Sequence, residues 1–169
     1  RPRAGIGISA RAFERRRDER IAVLCRILPA KNVAARIDEN AGIGGGGRQS
    51  FIDRSEEDWR KMFATNLDGV FHVFQVAARH MTERAAAGDP FGRLVATSSM
   101  ASLFGTARNE HYAGTKAAIN ALVRALGVEL ARYGVTANAI LPGWIKSDMT
   151  QGLMANDKFV DNVMPRIPM

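Results

Sequence analysis

Two helical stretches, each running through a glycine stop into a short apolar strand, constrain this chain more than any other feature. The first extends from Glu56 to about Ala86, where Trp59, Met62, Phe63, Leu67, Val70, Phe74, Ala77, Ala78 and Met81 recur at helical spacing. Ser55 is a capping hydroxyl ahead of Glu56, Glu57 and Asp58, acids that face the positive helix end. A bend is expected near Gly69, and Gly88-Asp89-Pro90 ends the helix before the strand Leu94-Val95-Ala96-Thr97. The second stretch runs from Tyr112 to Arg132 on a stripe of Ile119, Leu122, Val123, Leu126 and Leu130. Gly134 suits a left-handed helix end, after which Val135 to Leu141 reads as a strand closed by Pro142-Gly143. Alternating helix and strand signals are those of an α/β domain.

The flanks are less regular. Residues 8–19 have helical spacing, Ile21 to Cys25 is a short apolar run expected as a buried strand, and residues 31–37 are expected as a short helix. Gly42 and Gly44 to Gly47 make a flexible loop. Beyond Trp144 lies a Met-rich tail, expected to pack as a lid. At 169 residues the chain has room for one domain. The single cysteine, Cys25, excludes a disulfide framework and a Cys-based metal site, and one thiol fits a reducing, cytoplasmic setting. No metal is expected, because His72 and His80 lack acidic or Cys partners at ligand spacing, and no apolar run is long enough to span a bilayer.

The net charge of +7 belongs to residues 1–36, which hold ten basic and three acidic side chains; the remainder is neutral. Arg15, Arg16, Arg17 and Arg20 alternate with Glu14, Asp18 and Glu19, which reads as a solvated face before it reads as a nucleic-acid or membrane contact. Neither nucleic acid nor membrane is expected as a partner. The start at Arg1 suggests a fragment or a processed chain.

The chemistry concentrates at Tyr112-Ala113-Gly114-Thr115-Lys116. Tyr and Lys four residues apart share one helix face, and an ammonium beside a phenol favours the phenolate, which turns Tyr into an acid/base. Such pairs are common on exposed helices, so the neighbours decide. Ser99 precedes Tyr112 by thirteen residues, after Leu94 to Ser98; upstream lie Asn40-Ala41-Gly42 and Thr65-Asn66-Leu67-Asp68-Gly69; downstream lies Leu141-Pro142-Gly143-Trp144-Ile145-Lys146-Ser147. The ordered set resembles the short-chain dehydrogenase/reductase family almost unbroken from Asn40 to Ser147.

The resemblance implies an NAD(P)(H)-dependent oxidoreductase that interconverts an alcohol and a carbonyl. Tyr112 is then the acid/base, Lys116 its partner and the holder of the nicotinamide ribose, and Ser99 the hydrogen-bond donor to the substrate carbonyl, with Ser98 as its rival. Asn66 sustains a kinked helix and a water chain that resupplies the proton. Cofactor contacts are implied for Gly5 and Gly7, Arg26, Asn40, Ala41 and Gly42, Tyr112 and Lys116, Pro142 and Gly143, the backbone of Ile145 and the hydroxyl of Ser147. His111 is expected at the substrate rim or facing solvent. The family's NAD-preferring members carry an acid where this chain has Cys25-Arg26, which tilts the choice toward NADPH.

The chain also departs from the family pattern. Gly5-Ile6-Gly7 is the end of a dinucleotide-binding turn without its first strand and first glycine. Only residues 26–39 separate Cys25 from Asn40, and Arg36-Ile37-Asp38-Glu39 stands where an apolar strand is expected. The expected fold is therefore a Rossmann-like doubly wound parallel sheet lacking strands 1, 3, 4 and the last. It divides into a reduced dinucleotide-binding half (1–39), a catalytic half (40–147) and a substrate lid (148–169). In that shortened form the chain could be inactive. The alternative function is a non-catalytic oligomerisation module built on helices 56–86 and 112–132, the pair through which a homo-oligomer is expected in either case.

Overall fold

The computed structural model describes residues 36–39, 42–44, 49–147 and 150–167. The helix expected over 8–19, the strand over 21–25, Gly5, Gly7, Arg26, Asn40 and Ala41 lie outside the described residues. Those described form a three-stranded parallel sheet in the order β1-β2-β3, with β1 at Arg36–Glu39, β2 at Gly92–Thr97 and β3 at Val135–Ile140. Both crossovers are helical. Helices α1 (Glu56–Phe63) and α2 (Gly69–Ala86) connect β1 to β2, and α3 (Glu110–Leu130) connects β2 to β3. Each moves one strand over in the same direction, which with right-handed crossovers sets the helices on one face of the sheet.

The α/β expectation holds, with one correction. Residues 36–39 are a strand, not the end of a helix: Arg36 to Glu39 pair in parallel with Arg93 to Ala96. β1 therefore occupies the place of the strand that leads toward Gly42, which hydropathy had left empty. A parallel ladder is made of backbone N–H and C=O groups, and a segment reading Arg-Ile-Asp-Glu can supply those without an apolar pattern.

The long first helix is interrupted. α1 starts at Ser55, whose side chain accepts a hydrogen bond from Asp58 N at 3.1 Å. Residues Ala64–Asp68 then form a single π-helical turn before α2 continues. The distortion sits at Asn66, slightly ahead of the bend expected at Gly69. From there Val70, Phe74, Ala77 and Met81 pack with Leu94 and Ala96 of β2, Ile119, Val123 and Leu130 of α3, and Val135. Gly92 lets α2 approach the sheet: a Cβ there would meet the Met81 sulfur and lie 2.9 Å from a Val135 methyl. After α3, Gly134 takes the left-handed conformation at φ 70° and turns the chain into β3. Two short helices, α4 (Gln151–Met154) and α5 (Asp157–Val163), follow, and Trp144 meets Phe159 edge-on at 4.7 Å. Among the described residues no helix is long and apolar enough to cross a membrane.

Candidate active site

The site is assembled where β2 ends, against the first turns of α3. Lys116 is only 4% exposed. A buried ammonium has to be hydrogen-bonded, and its Nζ donates to the Thr97 carbonyl at 2.7 Å while lying 5.8 Å from the centre of the Tyr112 ring. Tyr112 itself is half-buried, one helical turn nearer the N-terminus. Helical spacing thus brings the two together, and the end of the sheet holds the lysine.

Asn66, wholly buried, is clasped to the strand-to-helix loop. Its Oδ1 accepts from Ile43 N at 2.7 Å and its Nδ2 donates to Ile43 O at 3.0 Å, so one amide satisfies both backbone groups of a residue twenty-three positions away. The Nδ2 also lies 3.0 Å from Met62 Sδ and 3.4 Å from Thr115 Oγ1. This pairing fixes Gly42, where a Cβ would stand 3.4 Å from both Asn66 Oδ1 and Lys116 Nζ. Gly42, Asn66, Lys116 and Tyr112 therefore share one locality.

The two candidate serines differ in availability. Ser98 is buried and its hydroxyl donates to the Lys116 carbonyl at 2.9 Å, a structural bond. Ser99 is half-buried, and its Oγ accepts from Ala101 N at 3.1 Å. That bond uses a lone pair and leaves the Ser99 hydroxyl proton to donate outward. Pro142 stands opposite, its carbonyl accepting from Met100 N at 3.0 Å, and Gly143 follows it on an open surface. Ile145 and Ser147 are exposed. They are tied together by Thr150, whose Oγ1 donates to Ile145 O at 2.6 Å and accepts from Ser147 N at 3.0 Å. Thr150 was not singled out from the sequence, although a hydroxyl three residues after Ser147 is the local signal for such a turn.

His111 requires a correction. It is 3% exposed, not at a rim, and its Nδ1 has no hydrogen-bond partner among the described residues. Burial, and then the Arg54 guanidinium, lower its pKa below the ordinary value, with Glu110 and Asp58 opposing. Arg54 reaches across to the α3 approach, donating to Arg108 O at 2.9 Å. Backbone N–H groups of Glu110 and Arg108 hold the Glu110 carboxyl below the usual carboxylate range. The loop before the helix needs this support, since Arg108 sits at φ 62°.

The described residues suit the nicotinamide-ribose end of a dinucleotide. The Lys116 ammonium, which stands beside the Gly42 backbone, is the donor that would hold its hydroxyls. No cluster of three or more His, Cys, Asp or Glu is arranged for a metal among the described residues.

Comparison with known proteins follows the same lines. The family model described as enoyl-(acyl carrier protein) reductase matches residues 30–169. The 5-keto-D-gluconate 5-reductase of Escherichia coli is 36% identical over 129 residues, covering 76% of this chain and 48% of the relative. L-rhamnose 1-dehydrogenase (NAD(P)(+)) of Azotobacter vinelandii is 33% identical over 120 residues, covering 71% and 45%. Among solved structures, a gluconate 5-dehydrogenase from Burkholderia cenocepacia in complex with NADP and tartrate superposes with a TM-score of 0.72 at 32% identity, covering 79% of this chain and 49% of that one. The chain spans about half the length of the curated relatives it matches.

Proposed function

Since the chain belongs to the short-chain dehydrogenase/reductase family, we propose that it carries the catalytic half of an NAD(P)(H)-dependent oxidoreductase that interconverts an alcohol and a carbonyl. The observation that carries this reading is Lys116: a buried ammonium held by Thr97 O, beside Gly42 and 5.8 Å from the centre of the Tyr112 ring.

When bound, the nicotinamide supplies or accepts the hydride at the carbonyl carbon. In the reductive direction Tyr112 gives its hydroxyl proton to the oxygen that becomes the alcohol, and is reprotonated from solvent. Ser99 donates a hydrogen bond to that same oxygen and stabilises the charge developing on it. Lys116 binds the ribose hydroxyls and keeps positive charge beside the phenol. Asn66 holds the Gly42 backbone and the π-turn in place, and lies on the route by which water reaches the lysine. The Pro142-Gly143 turn, Ile145 backbone and Ser147 hydroxyl border the carboxamide. NADPH is favoured over NADH on the Cys25-Arg26 pattern and on the NADP bound to the Burkholderia relative.

The test uses 5-keto-D-gluconate with NADPH and with NADH, following absorbance of the reduced cofactor. Tyr112→Phe is expected to lower turnover by about 10²–10⁴-fold while NADPH still quenches Trp59 or Trp144 fluorescence. Full turnover in Tyr112→Phe would remove the tyrosine from its role. A second reading, self-association through helices 56–86 and 112–132, is supported by Phe71, Val76 and Val128, large apolar side chains left exposed on α2 and α3.

A further inference from the structure

Ser99 is held by more than its own turn. A 3₁₀ turn at Met100–Ser102 follows it, and Ser102 Oγ donates to the Ser99 carbonyl at 2.5 Å. That hydroxyl is in turn the acceptor for Asn120 Nδ2 at 2.7 Å. Asn120 is 8% exposed and lies on α3 one helical turn beyond Lys116. The direction of the relay is set by chemistry: an amide N–H can only donate, so the Ser102 proton is left for the Ser99 carbonyl.

We infer that Asn120 is a positioning residue that, acting through Ser102, sets where Ser99 presents its hydroxyl relative to the Tyr112–Lys116 pair. Three observations converge on this. Segment 98–102 is pinned to α3 at two levels one turn apart, by Ser98 to Lys116 O and by Ser102 to Asn120. The same segment is pinned to the Pro142 loop through Met100 N. Finally, Asn120 Oδ1 is buried without a hydrogen-bond partner among the described residues. A side chain kept only for packing at this depth would be apolar, because an unmet buried acceptor opposes folding. What the amide contributes here is its donor, Nδ2, given to Ser102. Ser99 and the catalytic pair are thereby referenced to a single helix, whose positions 112, 116 and 120 repeat at one-turn intervals.

This inference rests on the proposed role of Ser99 only for its catalytic consequence; the clamp itself can be measured without turnover. Amide hydrogen exchange at Ala101 reports the bond that Ser99 Oγ accepts. In the full chain, Ser102→Ala and Asn120→Leu are expected to accelerate Ala101 exchange about tenfold, the equivalent of one net hydrogen bond, with Ile119 and Val123 unchanged. Ser102→Thr, which keeps the hydroxyl, is expected to retain protection. In turnover of 5-keto-D-gluconate the first two variants lower kcat with little change in KM, and Ser102→Thr restores it. Unchanged Ala101 exchange in Ser102→Ala overturns the clamp, as does acceleration spread equally over α3. Local acceleration at Ala101 together with full activity in Tyr112→Phe would leave the clamp standing and remove the tyrosine from its role instead.

Discussion

His111 illustrates how far a single residue's environment departs from its neighbourhood in sequence. It stands next to Tyr112, yet it is 3% exposed, and burial lowers its pKa. Unfolded, it would titrate near its ordinary value of 6.5; folded, its pKa is lower. The unfolded state therefore binds the proton first as pH falls, so the stability present above 6.5 is lost as pH drops through the folded value. His111→Gln is expected to flatten the decline of the urea midpoint between about pH 7 and pH 5, and an unchanged slope would place the titrating group elsewhere. That Tyr112 and Lys116 share a helix face was legible from their spacing, one turn apart, whereas their proposed role drew on the ordered neighbours. The burial of His111 was not legible, because it follows from tertiary packing; the Arg54 that lowers its pKa also reaches Arg108 from fifty-four positions away.

At the scale of elements, periodicity was a good guide to helices and a poor one to what distorts them. Both long helices and β2 and β3 lie where the apolar spacing put them. The π-turn at Ala64–Asp68 was only visible as a bend, since its cause, the clasp between Asn66 and Ile43, is a long-range pairing. β1 was missed for a related reason, its ladder being written in backbone and not in side chains. Glycine stops were the most legible signals of all. At Gly134, φ 70° coincides with a Cβ position that would meet the Pro90 carbonyl oxygen. Gly134→Ala is expected to cost at least about 2 kcal/mol, from left-handed backbone strain plus the clash. Thermal or urea unfolding measures it, and a loss under about 0.5 kcal/mol would mean the α3-to-β3 junction relaxes freely.

For the whole molecule, the described residues make a sheet of three parallel strands, and the chain spans about half the length of the relatives it matches. Outward on α3, Val128 is 83% exposed. An isolated exposed valine is ordinary, but with Phe71 and Val76 on α2 it supports self-association. Val128→Glu is expected to shift the sedimentation coefficient toward the monomer without lowering the unfolding midpoint, and an unchanged coefficient would take α3 out of the contact. The π-turn bears on this scale too. A π-turn is one surplus residue accommodated within a helix, so the flanks keep the phase of a rod one residue shorter. In the intact chain α1 packs against α3, and α2 against α3 and the first two strands. Deletion of Asn66 itself is therefore expected to keep the flanking helices in phase and to lose the amide that grips Ile43, which separates the scaffold's shape from the site it was bent to hold.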